Sequence, residues 1–183
     1  MASAHAHAHS PRPTLELYSP VGRDAERRDR RRELTAQAAR YLGAVSILLV
    51  GAVHAQQYYE AFFSFVPVIG TLFLLSFIGA GIVGTTLLLP VRLLGRRLGD
   101  LILSFAALGA IGIALGTLVS LLISEYRPLF GFMESGYRLA IVLTLLFDGL
   151  TMIFLGVFLA IIGPPLIRSL RSVQPEPRQA ERP

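Results

Sequence analysis

The chain has 183 residues, 53% of them hydrophobic, and a formal net charge of +5. It has no cysteine, which excludes disulfides, thiolate catalysis and cysteine-held zinc or iron–sulfur centres. Apolar residues crowd between Tyr41 and Ile167 while charge crowds into the two tails, a segregation that belongs to membrane proteins rather than to soluble domains.

Residues 1–20 read as a disordered tail. Its alternating His5, His7 and His9 form at most a weak chelating tract, of the kind a purification tag or a repeat-derived tail carries. Residues 21–40 read as a basic helix, with Asp24 and Arg28, and Glu26 and Arg30, at supportive i,i+4 spacing. Here Arg27, Arg28, Arg30, Arg31 and Arg32 are candidates for anionic lipid headgroups, each contributing about 1 kcal/mol near a membrane surface. The plainer reading of the same arginines is an orientation signal.

A bilayer core needs roughly 20 helical residues to cross it. Four segments are long enough, at about 38–59, 66–89, 101–123 and 139–163, so the fold class expected is all-α, a four-helix transmembrane bundle occupying residues 41–163. Residues 41–53 also resemble a signal-peptide core with Val53-His54-Ala55 as cleavage site, but the basic region ahead of them is too long for that, and they are read as the first span. Proline marks expected ends: Pro67 opens the second span, Pro90 closes it, and Pro164 with Pro165 closes the fourth, because a residue without an amide donor does least harm there. Residues 164–183 then read as a second disordered tail.

Arginine sets the orientation. Fourteen flank the ends assigned to the cytoplasm, among them Arg92, Arg96 and Arg97 between spans two and three, against Arg127 and Arg138 on the other side. Both termini are therefore expected inside, in the cytoplasmic membrane of a bacterium, since the absence of Lys and Asn is the bias of a GC-rich genome. The positive charge is accounted for by this placement and is no sign of nucleic acid.

Small residues at four-residue spacing let helix backbones approach in lipid. Ser76, Ala80 and Gly84 in span two, and Gly112, Gly116 and Ser120 in span three, are the expected packing stripes. Tyr59-x3-Phe63-Ser64-Phe65 matches Tyr126-x3-Phe130-Gly131-Phe132, which fits two tandem helical hairpins.

Ionisable groups inside a bilayer cost at least about 2.5 kcal/mol at its centre, so each asks for a reason. Asp148 lies about 15 Å deep by helical rise, and His54 sits one to two turns inside the interface. With Gln57, Tyr58, Glu60, Glu125, Arg127 and Arg138 they outline an outward-facing polar site that would bind a ligand or pass protons toward Asp148. The structural alternative ties Asp148 to Thr144 or Thr151, and His54 to a neighbouring carbonyl. A bis-histidine haem is excluded by the single membrane histidine. No metal site, cofactor, nucleophile elbow, phosphate loop or dinucleotide fingerprint is expected.

Val53-His54 followed by Gln57-Tyr58-Tyr59 and Gly70-Thr71-Leu72-Phe73-Leu74-Leu75 resembles small multi-pass membrane proteins of actinobacteria that are uncharacterised. The resemblance implies a bacterial inner-membrane location and carries no activity. The leading functional expectation is a non-enzymatic binding or accessory subunit acting on lipid, a membrane partner, a second copy or a small ligand. A small proton-coupled transporter or channel acting as an oligomer is the alternative; in size and span number the chain is similar to small multidrug exporters, whose essential acid stands in the first helix, whereas here it stands in the fourth. A quinone-linked oxidoreductase subunit is the third.

Overall fold

A computed structural model describes residues 20–60, 67–126 and 139–171. The His-Ala tract, the aromatic repeats beyond Tyr59 and Tyr126, the loop arginines Arg127 and Arg138, and the last twelve residues lie outside them. The helices are α1 (Pro20–Tyr59), α2 (Pro67–Leu88), α3 (Arg96–Tyr126) and α4 (Leu139–Arg171), with a short 3-10 turn at Val91–Leu94 between α2 and α3. All four are long and apolar enough to cross a membrane. The chain is an all-α, four-helix polytopic membrane protein. Helices are what such a segment must form, because lipid offers no partner for a backbone amide or carbonyl.

Chain contacts divide the protein at Leu34. In the first unit, Arg27, Arg28, Arg30, Arg31 and Arg32 are all exposed on α1. The second unit, from Thr35 onward, is the bundle.

Two boundaries differ from expectation. The basic segment and the first span belong to one helix rather than two elements. The fourth helix runs through Pro164 and Pro165 to Arg171 instead of ending before them. Each proline removes one amide, leaving the carbonyls of Ala160 and Ile161 without their helical donors, but flanking bonds carry the helix across, as spans embedded among neighbours tolerate.

Contacts at the glycines show that neighbouring helices run antiparallel. Gly84 of α2 faces Leu48 and Ile47 of α1, Gly51 faces Ala80 and Phe77, and further up the His54 ring packs at a tilt against Phe73 with centroids 5.2 Å apart. Gly79 of α2 meets Ile113 of α3, and Gly109 meets Val83. Gly43 of α1 lies against Leu155 of α4. We call the end where α1 and α3 finish the upper end. Because α2 packs on α3 as well as on α1, the two hairpins share one core.

That core fills the lower half. On α4 the buried positions Ile141, Asp148, Thr151, Leu155, Phe158 and Ile162 fall on one stripe at three- and four-residue steps. On α3 the stripe is Leu103, Ala107, Ala110 and Ala114, and on α1 it runs through Ala36, Arg40, Ala44, Ile47, Val50 and His54. Alanines on α3 and glycines on α1 and α2 bring the backbones close, which is how helices associate without a hydrophobic driving force.

The turn between α2 and α3 is closed by its own residues. Gly95 adopts φ +115°, a left-handed conformation that favours glycine. A Cβ on Gly99 would stand 2.7 Å from the Arg92 Cα, so the turn can fold onto α3 only over a glycine. Arg92 Nε then donates to Asp100 Oδ1 at 2.8 Å.

Candidate functional site

Above the contact of Gly79 with Ile113 the helices border an open cavity of about 410 Å³. All four contribute to it: His54 and Gln57 from α1, Leu72, Phe73 and Ser76 from α2, Gly112, Gly116, Thr117 and Ser120 from α3, and Ile141 with Thr144 from α4. The wall is mostly apolar, with polar groups at separate points, the pattern of a small-molecule site. Its volume lies at the small end of the roughly 300–1,000 Å³ that ligand pockets span.

The packing expectation for α3 is corrected here. Gly112 and Gly116 are exposed, and a Cβ on either would meet nothing within 4 Å. They line the cavity together with Ser76 and Ser120. Of the expected stripes, Ala80 and Gly84 do lie in close contact, and their partner is α1. Four-residue spacing marks a narrow helix surface; what faces that surface is decided by the buried stripe, and Gly112 and Gly116 lie off the one formed by Leu103, Ala107, Ala110 and Ala114.

His54 is 5% exposed. Its Nδ1 lies 2.8 Å from the Val50 carbonyl, which can only accept, so Nδ1 carries the hydrogen and donates. Nε2 is then the nitrogen left to accept a bond from something else. Gln57, half-buried on the same face one turn on, makes no hydrogen bond among the described residues.

The structural alternative for Asp148 ties it to Thr144 or Thr151 of its own helix. The structure places the partner across the bundle: Thr117 Oγ1 lies 2.5 Å from Asp148 Oδ2. Thr117 Oγ1 also lies 2.9 Å from the Ala114 carbonyl. A threonine hydroxyl has one hydrogen, so it serves one of these acceptors at a time. Several other hydroxyls close back on their own helix, as Ser46 does on Leu42 and Thr86 on Ile82. Thr117 bridges helices instead. It also lines the cavity, so its hydroxyl stands between the cavity and a carboxyl group that is wholly enclosed.

Asp148 Oδ1 and Thr151 Oγ1, three residues apart on the α4 stripe, are both buried without a hydrogen-bond partner among the described residues. Buried polar groups are nearly always bonded, and an unpaired carboxyl oxygen in a membrane core is a costly feature to keep for packing alone. Arg40 Nε is a third such atom. The Arg40 guanidinium sits 4.5 Å over the Tyr41 ring.

Tyr58 and Glu60 are not among the residues that line the cavity. Tyr58 is half-buried and packs edge-on against Tyr59, with centroids 4.9 Å apart. Glu60 is exposed and accepts from Gln56 Nε2 at 3.0 Å. Glu125 belongs to α3, but its side chain is outside the described residues, as Arg127 and Arg138 are altogether. Among the described residues no three His, Asp or Glu side chains gather as a metal cluster would need.

Thr117 and Arg40 were missed by sequence reasoning. Both were reachable: Thr117 is the next step of the α3 stripe after Ala114, and Arg40 lies between Ala36 and Ala44 on the α1 stripe.

Together these features define a four-span membrane protein with a cavity in its upper half and an enclosed acid beside it. Comparison with protein-family models, with curated proteins and with solved structures gives no match, so the functional reading rests on the chain's own side chains.

Proposed function

We propose that this is a non-enzymatic protein of the bacterial cytoplasmic membrane, with both termini inside, that works by holding a small molecule among its helices. The observation that carries the reading is the cavity itself: about 410 Å³, faced by a buried histidine whose Nδ1 is fixed on Val50 and by a half-buried glutamine with no described partner. A bundle selected only for packing would fill that space, since voids forfeit dispersion contacts on their lining. The arginine distribution supports the orientation. A second copy, or a larger membrane partner, is the assembly in which such a subunit would present its occupant.

Native mass spectrometry of the chain released gently from membranes tests this. The expected result is a small-molecule adduct that His54→Ala and Gln57→Ala lose. Wild-type chain released free of any adduct counts against the proposal, and reporter fusions showing the Arg92–Arg97 turn outside the cytoplasm remove the topology.

A second reading, an oligomeric proton-coupled transporter, is supported by one specific feature: a wholly buried carboxyl group reached from the cavity through a single hydroxyl. It requires proton-driven flux in liposomes that Asp148→Asn abolishes, and a native protein without flux excludes it.

A further inference from the structure

The cavity's own chemistry narrows what it holds. None of its described lining residues carries a formal charge, apart from what His54 gains by binding a second proton. A bare ion held there would lose its hydration for no counter-charge, so the occupant is neutral. His54 Nε2 accepts, so the occupant donates to it. The remaining surface, Ile69, Leu72, Leu75, Ile113, Leu121 and Ile141, takes an apolar body.

The cavity is open on the side of the bundle. Gly112 and Gly116 are exposed, stand near the middle of α3, and leave open space where a side chain would be. On α2, Leu72 and Leu75 are 42% and 59% exposed while lining the same cavity. At that depth in a spanning helix the surroundings are hydrocarbon, not water. A molecule reaches this gap by being dissolved in the bilayer.

We propose that the cavity binds an uncharged, membrane-dissolved amphiphile with a hydroxyl head, which enters sideways between α2 and α3 past Gly112 and Gly116 and donates its hydroxyl to His54 Nε2. This rests on the small-molecule reading above and adds the occupant's class and route. The two glycines act as a doorway: a side chain there closes the gap without touching the core.

The test uses the full chain in liposomes with a diazirine-bearing decanol as the probe. Photolabelling is expected on cavity residues of α2 and α3 between 69 and 76 and between 112 and 124. Gly116→Leu, built into empty space, should remove that labelling roughly tenfold, about what a 1.4 kcal/mol penalty produces, while unfolding in detergent stays unchanged. Unlabelled decanol should compete and decane should not, and His54→Phe should weaken the competition by roughly two- to tenfold, the loss of one hydrogen bond. Decane competing as well as decanol overturns the hydroxyl assignment, and decylamine competing better overturns neutrality, while the small-molecule reading survives both. Labelling in Gly116→Leu equal to wild type overturns the sideways route alone. Labelling spread evenly over all lipid-facing helix surfaces overturns the inference and the small-molecule reading together.

Discussion

The lower and upper halves of the bundle are made from the same four helices and differ in what stands at their inner positions. Below Gly79, glycine and alanine meet large aliphatic side chains: Gly84 against Leu48, Gly43 against Leu155, Ala107 and Ala110 buried on α3. Above it, small residues face each other across a gap, Ser76 on α2 and Gly112, Gly116 and Ser120 on α3, and the space stays open. The contrast shows that small residues bring helices together only when something on the facing helix projects into the room they leave.

Four substitutions separate the halves, read by unfolding in mixed detergents. Phe158→Ala removes the largest fully buried side chain, from the lower half, and should destabilise by about 3–5 kcal/mol. A loss under 1 kcal/mol would mean the lower half is not tightly packed. Gly84→Val drives a branched side chain against Leu48, whose Cδ2 would stand 2.7 Å from the new Cβ, and should cost about 1–3 kcal/mol. In the upper half the sign reverses. Gly112→Ala and Gly116→Ala meet nothing within 4 Å and remove a weak helix former, so each should leave stability unchanged or raise it by up to about 1 kcal/mol. Marked destabilisation by either would erase the distinction.

Asp148 sharpens the comparison because it lies where the halves join. Asp148→Asn keeps the volume and leaves Thr117 an acceptor in the new amide oxygen or in the Ala114 carbonyl at 2.9 Å. The expected change is under about 1 kcal/mol. A large loss would make Asp148 a structural residue and weaken both functional readings.

Hydropathy made the four spans legible, because the need to cover a hydrocarbon layer leaves a coarse, long-range mark. Proline located the start of α2 but misplaced the end of α4, since a helix held among neighbours crosses a missing amide that an isolated one would not. His54 and Asp148 stood out by charge alone, and His54 proved tied to the Val50 carbonyl as the structural alternative had it. The Asp148 partner was not legible: spacing along α4 offers Thr144 and Thr151, whereas the bond goes to Thr117 on another helix, a matter of depth and rotation that one helix cannot report. Gly112 and Gly116 carry the same lesson, since a four-residue interval is identical whether it faces a leucine or a void.

Arg40 has a mechanical consequence. It is 6% exposed halfway along α1, near the lower end of the apolar stretch, with Nε unpartnered and the guanidinium lodged over Tyr41. Sliding α1 upward by one turn would drag a permanent cation about 5.4 Å farther into oil. That residue therefore works as a detent: it fixes the axial register of the helix, and with it the height at which the imidazole of His54 is presented.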